Sequence, residues 1–463
     1  MSTPRRLGVA ELRAAAPGAL ETFEFRPAGG EPLLGTGILR HLPGRRLVFR
    51  ARQGGDQILV KLFFRHRDYR RERAGLELLR ACRIPSPALR WDCRDAGAWL
   101  LATEFLPAAR ALDPGLHRPV AAADAGAVLA LLGALHRAGL IQEDPHLDNF
   151  LLAGGRALAI DGAGIRRASP GAIAANLALF LAQFPPARDA QLEALLPAYG
   201  PVPDLRDLRR QRARARYRRL RNYRRKCVRN CGEFAVERTW RRFTARRRDR
   251  ADRVFLDLLA APAAAVAGAP RLKDGNSATV VRCRDAASDL VVKRYNVKDW
   301  RHGLRRAPRR SRAWIAWQNA HTLAHLGVPT PQALGLREER WGPLRLVTYL
   351  ITETSEGVPL QDWIATREAA AVPPWLDLAL VEILAALGGA GLSHGDLKAS
   401  NFLVEEAGRR LLLIDLDGMR LHRSRHGRAR RRDLDRFLAN WDGGLRAHFA
   451  RLLAPLAAGD RNP

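Results

Sequence analysis

The sequence predicts an α+β protein made of two tandem domains, each with a small β-rich lobe followed by a helical lobe. Three observations predict it. A chain of 463 residues with 47% apolar composition is long enough for two or three globular domains, each with its own core. The same order of segments runs along it twice. Each copy also passes from short strand-like apolar runs to long helix-like ones.

The elements follow in order. Each copy opens on a glycine-bearing turn between two strand candidates, LPGRRLVFRA with Gly44 and LKDGNSATVVR with Gly275. A strand-like run with a lysine comes next, QILVKLFF with Lys61 and DLVVKRYN with Lys293. A helical stretch then ends in Pro-x-Pro, ELLRACRIPSP and HTLAHLGVPTP. After it comes a strand with an acidic end, WLLATEFLP with Glu104 and RLVTYLITE with Glu353. A helix-like segment closes on Gly-Leu, VLALLGALHRAGL and LVEILAALGGAGL. A polar loop follows: QEDPHLDNFL with Asp144, His146 and Asn149, and SHGDLKASNFL with His394, Asp396, Lys398 and Asn401. After a short turn, an apolar run ends in AID at Asp161 or LID at Asp415. This is duplication of a whole domain, not a short solenoid repeat. The composition shift in AAPAAAVAGAP marks the seam. The expected boundaries are residues 1–250, a linker at 251–270, and residues 271–463.

The formal charge of +31 points to an anionic partner: nucleic acid, phospholipid or a phosphorylated substrate. Charge alone does not choose among them. Only six of the 78 basic residues are lysines, so each lysine marks a place where a compact ammonium can matter. Five scattered cysteines do not form a disulfide framework, and Cys227 and Cys231 lack zinc-site partners. No apolar leader and no run of about 18 apolar residues is present, so a cytoplasmic location is expected, with membrane-surface association left open.

Taken in this order, the residues of both halves resemble the protein-kinase-like fold. Phosphoryl transfer asks for positioning and charge neutralisation rather than covalent work. The resemblance implies ATP and Mg2+ as cofactors. It places Gly44 and Gly275 over the phosphates and lets Lys61 and Lys293 reach them. It makes Asp144 and Asp396 the groups that take the acceptor proton, and sets Lys398 against the moving phosphate. His394 braces the loop, while Asn149, Asp161, Asn401 and Asp415 hold the metal through hard oxygens. Glu72, Glu104 and Glu353 complete the cofactor-binding set. Three of the six lysines, Lys61, Lys293 and Lys398, fall on these positions.

The halves depart from that pattern in complementary ways. The N-terminal half keeps Glu72 on the helix after Lys61, but has Gln142 in the histidine place and His146 in the lysine place. The C-terminal half has the fuller loop, yet no glutamate lies between Lys293 and Arg337; Ala316 stands there, with Gln318 or Asn319 as stand-ins. One active and one regulatory half is therefore an open reading. Asp417 is either a further metal contact or a turn cap.

No Asp-Phe-Gly follows the last strand in either half, and no Ala-Pro-Glu follows downstream. The phrases LRHLPGRRLVFRA, LGVPTPQALG, HGDLKASNFLV, LLLIDLDGMRLH and RRRDLDRFLANW resemble the lipopolysaccharide core kinase family, in a tandem two-domain form. That resemblance implies ATP-dependent transfer to a heptose or Kdo hydroxyl of a lipid-linked core oligosaccharide, at the cytoplasmic face of the inner membrane. Arg209 to Arg229 holds twelve basic residues and no acidic one, with Tyr217, Leu220, Tyr223, Cys227 and Cys231 on one helical stripe. An amphipathic helix with its arginines outward is expected. With Arg301 to Arg312 and Arg420 to Arg432 it would meet an anionic membrane. Trp314 and Trp317, three apart, are expected to pack into the small lobe. Two alternatives stand beside the kinase: a tandem pseudokinase scaffold of the core-assembly machinery, and an atypical protein- or RNA-associated kinase. Nucleic acid is not the expected partner, because no binding module or aromatic platform is present.

Overall fold

The computed structural model describes residues 4–458 except 17, 19, 115, 117–118, 203, 276–277, 285–287, 297–309, 366–371 and 424–426. The chain divides into two compact units, residues 1–183 with 188–212, and residues 184–187 with 213–463.

In the N-terminal unit, alternation builds the first lobe. In Asp56–Phe63 the side chains of Ile58, Val60 and Leu62 are buried on one face, and Lys61 comes up on the other beside Phe63. This strand lies inside a seven-stranded sheet. Arg46–Gln53, Leu33–Leu42, Phe23–Phe25 and Arg5–Arg6 extend it on one side, Ala98–Glu104 and then Leu89–Asp95 on the other. Phe23, Phe25, Phe49 and Leu100 fill its core. Helix His66–Ala81 follows the lysine strand. The second lobe carries helix Ala122–Arg137, the hairpin Phe150–Ala153 with Arg156–Ala159, and the short pair Leu140–Gln142 with Ile165–Arg167.

The C-terminal unit is built the same way around its own lysine. Strand Asp289–Tyr295 pairs on one side with Ala278–Arg284, which leads to Arg271–Gly275. On the other side it pairs with Leu344–Glu353, which leads to Ala333–Trp341. Helix Arg312–His325 takes the place of His66–Ala81. Its second lobe repeats a long helix, Pro374–Ala390, a hairpin, Phe402–Glu405 with Arg410–Leu413, and a short pair, Leu392–Ser393 with Arg420–Leu421. The sheets differ only in what extends them. The N-terminal unit adds strands beside its glycine hairpin, whereas the C-terminal unit adds the hairpin Phe234–Arg238 with Arg242–Arg247 beside Ala333–Trp341.

Three expectations change. The compact units part at 212/213, earlier than the seam read from composition. Residues 251–270 do not hang free. They form helices Arg253–Ala260 and Pro262–Gly268, and Phe255, Leu259 and Val266 are buried against Val281, Val292 and Ile351. Alanine-rich sequence reads as a linker by composition, but its spaced apolar residues supply a packing stripe. The arginine-rich run is a helix, Leu205–Lys226, with Leu220 buried as expected, but not all of its arginines face outward. Arg212 is buried against Glu193 at 2.8 Å and Asp189 at 3.2 Å. Arg216 is buried and donates to the carbonyls of Phe184 and Gly389. A guanidinium with five donors can be satisfied inside wherever carboxylates or carbonyls converge on it. Residues 301–309 and 424–426 of the two other basic stretches lie outside the described residues.

Trp314 and Trp317 are buried in helix Arg312–His325 as expected, Trp317 donating its indole N–H to the Cys227 carbonyl at 2.8 Å. His321 on the same helix is 2% exposed, its ring edge-on to Trp317 and Phe234. Burial, and next to it the charge of Arg247, pushes its pKa down to about 3. Unfolded, this imidazole takes a proton near pH 6.5. The unfolded chain therefore binds more protons below that pH, and stability falls as pH drops from 7 toward 4. Urea unfolding of the C-terminal unit is expected to shift to lower denaturant between pH 7 and pH 5. His321→Asn is expected to reduce that dependence, while His325 on the same helix, pushed down to about 4 by burial, keeps part of it; an unchanged slope would exclude His321 as a source.

Candidate active site

In the N-terminal unit the site is built around a buried ion pair. Lys61 Nζ meets Glu72 Oε1, and Glu72 is 0% exposed. The same carboxylate accepts from the backbone N–H groups of Gly162 and Ala163, both at 3.2 Å. One side chain thus fastens the helix to the lysine strand and to the turn after Asp161. The helix comes so close that a Cβ on Gly75 would lie 1.8 Å from the Gly162 carbonyl oxygen, so only glycine fits there. Burial, the largest influence, would raise the Glu72 carboxyl, but the Lys61 charge and hydrogen bond, with Asp161 and Arg46, together hold it below the ordinary value. Burial, with the Glu72 charge next, raises that of Asp161.

Asp161 adopts a left-handed backbone, φ 62° and ψ 70°. A non-glycine residue rarely sits there, and it is the kind of strain found at functional sites. Arg46 Nη1 lies 3.9 Å from its carboxylate. Gln142, in the expected histidine place, donates to the carbonyls of Ile160 and Asp161. Asn149 Nδ2 donates to the Asp144 carbonyl at 2.8 Å, and the Asn149 carbonyl accepts from Ile160 at 3.0 Å. The His146 ring turns to Asp148, 3.2 Å away. Asp144, His146, Asn149, Asp161, Arg46 and Phe63 line a cavity of about 530 Å3. Gly44 is the hairpin tip, with φ 63°, and Glu104 ends the neighbouring strand opposite Ile58.

In the C-terminal unit the loop geometry repeats and the lysine's partner changes. Asp415 is left-handed as well, φ 59° and ψ 54°. Asn401 Nδ2 donates to the Asp396 carbonyl at 2.7 Å, and the Asn401 carbonyl accepts from Ile414 at 2.9 Å. His394 Nε2 lies 3.0 Å from the Ile414 carbonyl oxygen, the same task that Gln142 performs. Lys293 Nζ, however, sits 2.5 Å from Asp415 and 3.6 Å from Asp417. Ala316 is buried on the facing helix and offers no charge. Of the two stand-ins, Asn319 is the one that tethers the helix to the aspartate turn, donating to the carbonyls of Leu416 at 2.7 Å and Met419 at 3.2 Å. Gln318 instead donates to the Arg224 carbonyl. Burial favours the neutral form of Asp415, but Lys293 and then Arg312 keep its carboxyl below the ordinary value. For Asp417 burial prevails and the carboxyl is raised, even with Arg312 at 2.9 Å.

Asp396 stands between two cations, Lys398 at 3.2 Å and Arg436 at 2.7 Å. Arg436 was not anticipated, nor was Asp433 one turn before it. The buried Asp433 carboxylate accepts from the backbone N–H groups of His394 at 2.6 Å and Gly395 at 2.9 Å, and so fixes the start of the loop. The available signal was an aspartate inside the arginine run RRRDLDRFL, on the same helix as buried Leu434 and Phe437. Glu353 ends its strand opposite Leu290, with Arg250 3.7 Å from its carboxylate. Gly275 ends strand Arg271–Gly275, paired with Ala278.

A lysine on an inner strand, an aspartate–asparagine loop after a long helix, and a second aspartate after the next hairpin define a kinase-like unit. Residues 271–450, nearly all of the second copy, match the model of the lipopolysaccharide kinase (Kdo/WaaP) family, and this segment is assigned to that family. The motif resemblance read from the sequence is borne out over that segment. No curated protein matches the chain. Among solved structures, "WaaP in complex with acyl carrier protein" is similar at 21% identity, with a TM-score of 0.33, covering 45% of this chain and 95% of that one. Among the described residues, no helix is long and apolar enough to cross a membrane.

Proposed function

We propose that the chain is an ATP-dependent kinase of a heptose or Kdo hydroxyl in the lipopolysaccharide inner core, built from two tandem kinase-like domains, with transfer carried out by the C-terminal one. One observation carries this: the segment that matches the family is also the one in which Lys398 pairs with Asp396, Asn401 bonds the Asp396 carbonyl and Lys293 pairs with Asp415. Its lipid-linked acceptor and the inner-membrane face belong to the same proposal.

The residues present fit magnesium and a nucleotide. Asn401 commits its amide nitrogen to the Asp396 carbonyl, which leaves its side-chain oxygen for a cation, and the carboxylates of Asp415 and Asp417 both lie near Lys293. These are the hard oxygens that magnesium takes. A nucleotide bound there would supply the phosphoryl group, and a metal held by these oxygens would neutralise its charge. The chain's own residues do the rest. Lys398 and Arg436 orient the Asp396 carboxylate, Asp433 holds the loop beneath it, and Asp396 accepts the proton of the sugar hydroxyl. Lys293 is placed by carboxylates rather than by a helix glutamate, and from there it would reach phosphate oxygens when a nucleotide is bound. In the N-terminal domain the Lys61–Glu72 pair and the cavity beside Asp161 support a second nucleotide site.

The scaffold reading draws on the absence of a helix glutamate at Ala316 and on Lys293 resting against Asp415. Incubation with γ-labelled ATP, magnesium and isolated core oligosaccharide separates the two. The kinase reading expects label on a core sugar, in stoichiometric yield. A chain that binds the oligosaccharide but never labels it, over a range of acceptors, would be a scaffold.

A further inference from the structure

Two large aromatic side chains stand out of the C-terminal unit at one place. Trp240 lies in the turn between Phe234–Arg238 and Arg242–Arg247, and Trp341 ends the strand before the turn to Leu344–Glu353. They are 67% and 66% exposed. Strands Arg242–Arg247 and Ala333–Trp341 run antiparallel as neighbours, so the two turns emerge at the same end of the sheet. Backbone hydrogen bonds stitch the tips together, Arg340 N to the Arg241 carbonyl at 2.8 Å and Gly342 N to the Trp240 carbonyl at 3.0 Å. The Trp240 ring covers Gly342 so closely that a Cβ there would come within 2.8 Å of it. Leu346, 49% exposed, is on the strand leaving the second turn. The projection is therefore firm, and its apolar tip is held ready rather than collapsed.

The rim is basic. Arg238 and Arg241 flank Trp240 and are exposed. Arg340 and Arg345 share one buried carboxylate, Glu338, and burial first, then the charges of Arg340, Arg310 and Arg238, lower the pKa of Arg345 although Glu338 opposes them. The other nearby acids are already matched, Glu237 to Arg242 and Glu339 to Arg337. Cations thus exceed anions at the tip.

We infer that these paired hairpin tips dock on an anionic lipid bilayer, with Trp240 and Trp341 entering the headgroup layer and the arginines meeting lipid phosphates. Indole rings favour the membrane–water boundary because one edge is apolar and the N–H is polar. Arginines beside them gain from the negative surface potential and from bidentate phosphate contact. The charge surplus selects a lipid surface of acidic headgroups over a neutral one. This surface is made of residues other than those of helix Leu205–Lys226 and does not depend on the kinase reading.

The test is sedimentation of the full chain with vesicles of equal parts phosphatidylethanolamine and phosphatidylglycerol, and with vesicles of phosphatidylcholine alone. The wild type is expected to bind the acidic vesicles and to leave the neutral ones in the supernatant. The double variant W240S/W341S is expected to lose about tenfold in partitioning while still unfolding cooperatively, since both rings are mainly exposed. R238Q/R241Q is expected to bind less and to lose much of its salt dependence. Equal binding by W240S/W341S and wild type would overturn the inference, as would a wild type that ignores acidic vesicles. Loss of self-association by W240S/W341S, with vesicle binding intact, would assign the tips to a protein contact instead and equally overturn it.

Discussion

Asp396→Asn is expected to lower the rate of phosphoryl transfer by about 10²–10⁴, the usual span for losing a positioned general base. Asparagine has nearly the same volume and keeps an oxygen for Lys398 or Arg436, which lie 3.2 and 2.7 Å from the carboxylate. It leaves the Asn401 bond to the backbone carbonyl untouched. The loop therefore keeps its shape while the proton acceptor is gone, so nucleotide affinity is expected to hold within about twofold, as for a step made only in the transition state. Asp144→Asn, the same change in the other loop, is expected to leave transfer at the wild-type rate. The measurement is single-turnover transfer with saturating ATP for both variants. If the rate falls in Asp144→Asn and holds in Asp396→Asn, the chemistry belongs to the N-terminal unit and the assignment made above is wrong.

The largest structural effect is expected at Glu72. Its carboxylate is 0% exposed and is shared between Lys61 and two backbone N–H groups. Removing one partner of a buried pair leaves the other charge uncompensated, which costs about 3–5 kcal/mol. An exposed pair on the same helix, Arg73 with Glu77 at 3.5 Å, is worth about 0–1 kcal/mol by comparison. Glu72→Ala should therefore destabilise the N-terminal unit severely, and Glu77→Ala hardly at all. Hydrogen exchange reads this locally. The amides of Gly162, Ala163 and helix His66–Ala81 are expected to lose protection, while Asp289–Tyr295 in the other unit serves as an internal reference. Retained protection in Glu72→Ala would show that the packing of Gly75 on Gly162 holds the turn without the ion pair.

The order of elements was legible from the chain alone, because it rests on local signals. Alternation placed Lys61 and Lys293 on strands, Pro-x-Pro followed the helices, and Gly44 marked its hairpin turn. The repeat then gave each weak motif a partner to be compared with. The pair Lys61–Glu72 could be named in advance for the same reason: strand and helix follow one another directly, and the spacing between the two residues is short. Burial of Arg212 and Arg216 could not be named, because a run of arginines looks the same whether its neighbours are water or carbonyls. Nor could the partner of Lys293, which lies 122 residues away at Asp415, or the grip of Asp433 on the His394–Gly395 backbone. The stripe of Phe255, Leu259 and Val266 that makes 251–270 part of a fold needed its facing sheet to be recognised. By itself the sequence determined which elements form and which residues carry charge into the two loops, since periodicity and turn chemistry act over a few residues. Only the tertiary structure decided which charges meet, because an ion pair or a buried donor is set by how separate elements pack, and that is a property of distance in space.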